Sequence, residues 1–163
     1  MKIKIKVKRI PNAQGQLVEL PKVLKKGDWI DLRAAKSSAD FLTRNPLIPL
    51  GIAVKLPAGF EAIVAPRSSS YKQFGITYPN SVGIIDNAYC GEHDQWHFPA
   101  CRHSDKRAWK FNDRICQFRV QLSQKATLSQ KLRWLLSSGI EIVEVGSLDG
   151  DSDRGGIGST GAE

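Results

Sequence analysis

The sequence predicts an all-β protein, a sandwich or barrel of jelly-roll type, on three observations. Strand-sized apolar runs recur along the chain, separated by Gly, Pro, Asn and Ser turns such as LPAGF and YPNSVG. The first run, IKIKVKRI, alternates aliphatic and cationic residues with period two, as a strand with one buried and one wet face does. Only one stretch carries helical periodicity. At 163 residues the chain has the length of one domain and can bury a core without staples.

In chain order, strands are expected at 3–10, 16–20, 28–34, 47–56, 60–65, 82–86, 95–101, 114–122 and 140–145, each short and each bounded by turn residues. A helix interrupts them at about 127–138. Thr127 with Gln130 three residues on forms a capping box, Gly139 suits the stop, and Leu128, Leu132, Leu135 and Leu136 make one apolar stripe. Such a stripe is first of all a face packed on the domain; a protein partner bound at the 127–138 helix is the alternative. After IEIVEV the chain runs into GSLDGDSD and DRGGIGSTGAE, a linker and a glycine-rich tail. The organisation is thus a barrel over 1–145 and a flexible linker with a C-terminal arm over 146–163. That arm is either a frayed terminus or, with an Arg ahead of glycines, Ser and Thr, a phosphate-wrapping segment that orders on its ligand.

Lys and Arg number 24 against 16 Asp and Glu, a net charge of +8, so the fitting partners are anionic: nucleic acid, an acidic surface or a polyphosphate. No apolar run approaches a membrane span and the N-terminus lacks the core of a signal peptide, which makes a cytoplasmic location the expectation. Three cysteines, an odd number without framework spacing, agree with a reducing compartment. Cys90, His93, His97, Cys101 and His103 crowd together, but no Cys-x-x-Cys pair is present, and Trp96, Phe98 and Pro99 among them suggest a packed hairpin rather than zinc.

Three segments can carry chemistry. In NSVGIIDNAYCGE, 80–92, an aliphatic run stops at Asp86, followed by a turn and Tyr89. A carboxylate at the rim of an apolar strand is a candidate general base towards water, and equally an Asp that closes a hairpin turn. APRSSS, 65–70, sets Arg67 beside hydroxyls, which suits phosphate or forms a plain solvated turn. In DRICQF, 113–118, the Gln117 amide can donate to an anion or satisfy a core carbonyl.

Taken in order, DLRAA (31–35), PRSS (66–69), NSVGIIDNAYCGE (80–92), DRICQ (113–117) and RGGIGSTG (154–161) resemble the five motifs of the trimeric dUTPase family, most like its Gram-positive bacterial and phage members. The stretch LGIAVKLPAGFEAIVAPRSS is also similar to that family. The resemblance implies a jelly-roll homotrimer with active sites between subunits, which splits dUTP into dUMP and pyrophosphate with Mg2+. It implies that Asp86 activates the water that attacks the α-phosphorus and that Tyr89 lies against the deoxyribose. Asn80 and the backbone at Gly83 and Ile84 would form the uracil pocket. Arg67, Ser68, Ser69 and Gln117 would contact phosphate, and Asp31 would hold metal-bound water. Arg154, Gly158, Ser159, Thr160 and Gly161 would wrap the triphosphate.

Two departures stand out. Ile157 occupies the place where the family has an aromatic that stacks on uracil, which leaves Phe98 or Trp96 as candidate lid aromatics or as hairpin core. The 127–138 helix is also absent from the common family pattern. Rival readings are a dCTP deaminase or bifunctional deaminase on the same fold, a nucleic-acid-binding β-barrel, and a regulatory protein that engages a repressor.

Overall fold

The computed structural model describes residues 1–104, 106–148 and 153. Ten strands build it: β1 (Ile3–Arg9), β2 (Ile30–Arg33), β3 (Leu47–Lys55), β4 (Phe60–Pro66), β5 (Ile76–Thr77), β6 (Gly83–Asp86), β7 (Gln95–Pro99), β8 (Cys101–Arg102), β9 (Arg114–Leu122) and β10 (Ile140–Glu144). Two four-stranded sheets, ordered β10-β1-β3-β7 and β2-β9-β4-β6, enclose the core, and β5 pairs with β8 apart from them. This is the all-β architecture that the turn spacing foretells.

The period-two reading of the first strand holds: Ile3, Ile5 and Val7 are fully buried while Lys2, Lys4 and Lys6 face outward. Their core partners come from both sheets, including Ile48, Leu50, Phe60, Val64 and Ile115. Trp96 of β7 meets Phe118 of β9 edge to face at 5.3 Å between centroids, an aromatic contact that joins the sheets.

The expected strand at 16–20 does not form. Asn12 takes the backbone N–H of Gln14 and Gln16, the Asn112 amide oxygen takes that of Glu19, and Arg9 donates to the Val18 carbonyl. Side chains therefore satisfy this backbone where a ladder would, and only Val18 is buried. The run 95–101 breaks at Ala100, whose N–H turns to the Pro46 carbonyl, into β7 and the short β8. A five-residue helix α1 (Ser70–Phe74), stopped by Gly75 at φ 66°, stands where a plain turn is expected after PRSS.

The second helix, α2 (Leu128–Leu135), forms with its Thr127–Gln130 capping box, but its orientation corrects the expectation. The leucine stripe faces solvent: Leu128, Leu132, Leu135 and Leu136 are 83%, 52%, 78% and 71% exposed. The barrel instead receives Trp134, edge to face on Phe60 at 5.4 Å, and Gln130, which lies over Gly59. One large ring on a buried phenylalanine provides more contact than the leucines could offer from the other face.

Candidate active site

β6 ends at Asp86, and the chain turns at once. Asp86 Oδ1 accepts from the Ala88 N–H at 2.8 Å, while its carbonyl accepts from Tyr89 N. The carboxylate thus closes the turn, as an Asp at a hairpin does, yet remains exposed at the strand end, where a reacting water can reach it. Tyr89 is half-buried against the core and donates its hydroxyl to the Gln95 carbonyl at 3.0 Å. Burial, with the Asp94 and Asp153 carboxylates nearby, raises its pKa, so the ring is a neutral, tethered wall beside Asp86.

The loop before β6 is tightly shaped. Val82 N donates to the Asn80 carbonyl at 2.7 Å across Ser81, which takes φ 65°. Beneath it, the Tyr78 hydroxyl sits so close to Gly83 that an added Cβ would lie 2.4 Å from it. Tyr78 in turn rests edge to face on Phe98 at 5.0 Å. Asn80 and Ile84 are exposed along this loop, whose main chain is therefore presented by a buried aromatic support.

That support settles the position of the two candidate lid aromatics. Trp96 and Phe98 are both 0% exposed, their rings committed to Phe118 and Tyr78. Neither presents a face to a base, so the lid expectation is corrected: they are core, because alternate residues of β7 point inward.

A second cluster gathers where β2, β4 and β9 run side by side. Asp31 lies opposite Gln117, and Gln117 opposite Ala65. Arg67 Nε meets Asp31 Oδ1 at 2.7 Å and Arg114 meets Oδ2 at 3.1 Å, so one carboxylate holds two guanidiniums. Ser69 Oγ lies 3.5 Å from Arg67, with Ser68 beside it, and Gln117 Nε2 donates to the Pro66 carbonyl at 3.2 Å. Cys116, wholly buried behind them, has its thiol pKa pushed well up by desolvation. This arrangement gathers two guanidiniums, serine hydroxyls and an amide around the single Asp31 carboxylate.

The two clusters do not meet within one chain. Asp86 pairs with Glu61 near the start of β4, whereas the arginine cluster starts beyond Pro66 at its end. Some five residues at about 3.3 Å each separate them by roughly 17 Å.

Residues that sequence reasoning missed bind the chain's end to this region. Glu92 accepts from Ser147 Oγ at 2.6 Å, from Leu148 N and from Lys8, and these contacts lower its pKa to about 2. Leu148 is buried, and Asp153 accepts from His93 N at 2.8 Å. Gly91 is needed there because a Cβ would come within 2.3 Å of the Asp153 carboxylate. Arg154, Gly158, Ser159, Thr160 and Gly161 lie outside the described residues. His97 bonds to the Gln95 carbonyl and His103 to Thr77, and among the described residues no three His, Cys, Asp or Glu side chains converge on a metal-sized site.

The dUTPase family profile matches residues 28–134, which spans both clusters. The chain belongs to the dUTPase family. It is 42% identical over 161 residues to the SPbeta prophage-derived deoxyuridine 5'-triphosphate nucleotidohydrolase YosS of Bacillus subtilis (strain 168), covering 99% of this chain and 100% of that one. The corresponding enzyme of Neorickettsia sennetsu is 34% identical over 157 residues, 91% of this chain and 92% of that one. In fold, this dUTPase superposes on the dUTPase of Streptococcus mutans with a TM-score of 0.58 at 21% identity, covering 66% of this chain and 88% of that one. The dUTPase from phage phi11 of S. aureus gives 0.57 at 14% identity, over 76% and 93%, and is described as carrying a species-specific insert. A mutant of the phi11 protein is described with a coordinated structural Mg(II) ion.

Proposed function

We propose that this protein hydrolyses dUTP to dUMP and pyrophosphate. The carrying observation is the match, over 99% of this chain, to a deoxyuridine triphosphate nucleotidohydrolase, beside which stand the strand-end carboxylate Asp86 and its tethered neighbour Tyr89. Asp86 takes a proton from water as the water oxygen bonds to the α-phosphorus; the bond from that phosphorus to the bridging oxygen breaks, and pyrophosphate leaves. Tyr89 walls the sugar, so that a 2′-hydroxyl would collide with a ring that cannot swing away. The main chain around Asn80, Gly83 and Ile84 reads the uracil edge, where cytosine would leave buried donors and acceptors unmatched.

Arg67, Ser68, Ser69 and Gln117 receive the phosphates. The roughly 17 Å between this cradle and Asp86 supports a homotrimer in which one subunit supplies the base and a neighbour the cradle. In the assembled site Arg154, Gly158, Ser159, Thr160 and Gly161 close on the triphosphate, from an arm whose root is tied at Glu92 and His93.

Asp31 is the residue that would hold the waters of a Mg2+ ion, which takes substrate oxygens rather than an all-protein cage, and because both of its oxygens accept from Arg67 and Arg114, those guanidiniums would have to turn to the substrate phosphates as the ion arrives. Such an ion would neutralise charge on the pyrophosphate leaving group. Among the described residues no helix is long and apolar enough to cross a membrane, and a nucleotide hydrolase of this kind belongs in the cytoplasm.

The test is pyrophosphate release with Mg2+ from dUTP, dCTP, UTP and dTTP at equal concentration. Release from dUTP alone is expected. Release from dCTP would place the protein in the deaminase branch, and silence on all four would leave a binding role.

A further inference from the structure

We infer that the notch between the loop 42–45 and β8 binds the phosphate group of a phosphate monoester. None of its residues belongs to the Asp86 or the Arg67 cluster, and the inference does not rest on the hydrolytic reading.

The chain brings two arginines together here without a counter-charge. Arg102 N donates to the Arg44 carbonyl at 2.8 Å, which lays β8 against the loop, and both residues line a notch of about 170 Å³ with Leu42, Thr43, His103 and Ser104. Among the described residues neither arginine pairs with a carboxylate, whereas Arg9, Arg33, Arg67, Arg107 and Arg114 each do. Two guanidiniums at one notch repel each other, and an anion seated between them removes that cost. The acidic side chains of the flanking segments are already engaged: Asp40 accepts from Ser37 N and Oγ, and Asp113 pairs with Arg107. Asp105, next after Ser104, lies outside the described residues.

The walls of the notch are held in place by the core. The Arg102 guanidinium lies over the Trp109 ring, 5.4 Å from its centroid, and that ring is buried, meets Phe41 at 6.2 Å and donates Nε1 to the Lys36 carbonyl at 3.2 Å. A stacked guanidinium keeps its N–H edge for a bidentate acceptor and has less freedom to lose on binding. The His103 ring is fixed by Thr77 Oγ1 at 2.7 Å and by an edge contact with Tyr71, over whose ring Lys106 adds a third cation at 4.7 Å. Thr43 Oγ1 accepts from Asn45 N at 3.1 Å, which leaves its proton to donate. Size and charge then select the ligand. The notch falls short of the roughly 300–1,000 Å³ that encloses a whole small molecule, so it takes a head group. Two guanidinium forks with the Thr43 and Ser104 hydroxyls match a phosphate monoester, with its charge of about −1.5 to −2, better than a singly charged carboxylate.

The probe is methyl phosphate, titrated without Mg2+ and at constant ionic strength into the 15N-labelled full-length protein, and read at the Trp109 indole N–H and the Thr43 and Ser104 amides. Arg67→Ala is titrated beside the wild type, so that phosphate held at the Arg67 cluster is told apart from phosphate in the notch. Saturable shifts in both proteins are expected, weakened at least about tenfold in R44Q/R102Q, with kcat and KM for dUTP unchanged in that variant. Arg44→Gln alone, a change at an exposed side chain, should weaken the shifts in the same direction and carries the test if the double variant does not fold. Absence of saturable shifts, or shifts of equal strength in R44Q/R102Q, overturns the proposal. A raised KM for dUTP in R44Q/R102Q assigns the notch to the nucleotide site and overturns its separateness. Dimethyl phosphate and acetate test the ligand: both should bind weakly, and binding of dimethyl phosphate as tight as that of methyl phosphate would make the notch a reader of phosphodiesters, while equal binding of acetate would make it a carboxylate site, either of which replaces the ligand proposed here.

Discussion

Gly83→Ala tests the aromatic support of the base loop. The added Cβ would lie 2.4 Å from the Tyr78 hydroxyl oxygen and 3.2 Å from Cζ of the same ring. Withdrawal of the ring is opposed by Phe98, fully buried and in edge contact at 5.0 Å. Overpacking of this kind costs about 1–3 kcal/mol. Alanine in a strand recovers about 0.5–1 kcal/mol over glycine, so the net loss should be about 0–2.5 kcal/mol. Tyr78→Phe deletes the nearest atom, and among the described residues that hydroxyl makes no hydrogen bond, so the change alone should be nearly neutral. In the double variant the closest remaining atom is Cζ at 3.2 Å, a contact that a shift of a few tenths of an ångström relieves. Urea denaturation of the four proteins should therefore give a favourable coupling of about 1–3 kcal/mol, the overpacking that Tyr78→Phe relieves, and KM for dUTP should rise in Gly83→Ala and fall back in the double variant. Additive effects, with Gly83→Ala equally damaging in both backgrounds, would refute the support.

Asp86→Asn should keep the turn through its amide oxygen and still bind dUTP, while kcat falls about 10²–10⁴-fold, as removal of a general base does; isothermal titration with a non-hydrolysable dUTP analogue beside the rate assay separates the two. Acid stability follows Glu92 and His97. The Glu92 pKa is held down to about 2 by Lys8, Ser147 and the Leu148 N–H, so its contribution is present above the ordinary carboxylate range and disappears as pH falls from there towards 2. Burial lowers the His97 pKa, so the unfolded chain binds the proton more readily and stability declines as pH drops through the ordinary imidazole range. Melting temperatures in Glu92→Gln should lose the lower step and retain the upper one, and limited proteolysis should cut beyond Val145 faster. Trp134→Ala should release α2 from Phe60 and cost about 3 kcal/mol or less, given that the ring is half-buried, without a change in kcat.

Sequence pattern carried the barrel because period-two burial is local: β1, β4 and β9 announce their inward faces residue by residue. The strand expected at 16–20 failed because its backbone partners, Asn12 and Asn112, are side chains, one of them far along the chain. The leucine stripe misled for a related reason. Helical spacing shows that the leucines share a face, but only the place of Trp134 over Phe60 decides which face turns inward. Asp86, Tyr89, Arg67 and Gln117 were candidates because short motifs single them out; Arg114 and Glu92 stand in the same motifs, but their contacts with Asp31 and Ser147 join residues far apart in the chain and so leave no local pattern. The lid expectation for Phe98 foundered on the alternation of β7, which sends Trp96 and Phe98 inward and gives Phe98 a supporting role under the base loop instead.

The central claim is that dUTP is split at a site to which Asp86 and the Arg67 cradle come from different subunits. Asp86→Asn and Arg67→Ala, each inactive alone, should regain about a quarter of wild-type dUTPase activity when unfolded and refolded together in equal amounts, because about a quarter of the shared sites then combine an intact base with an intact cradle. Mixed protein that forms the oligomer but stays as inactive as either parent would contradict the account.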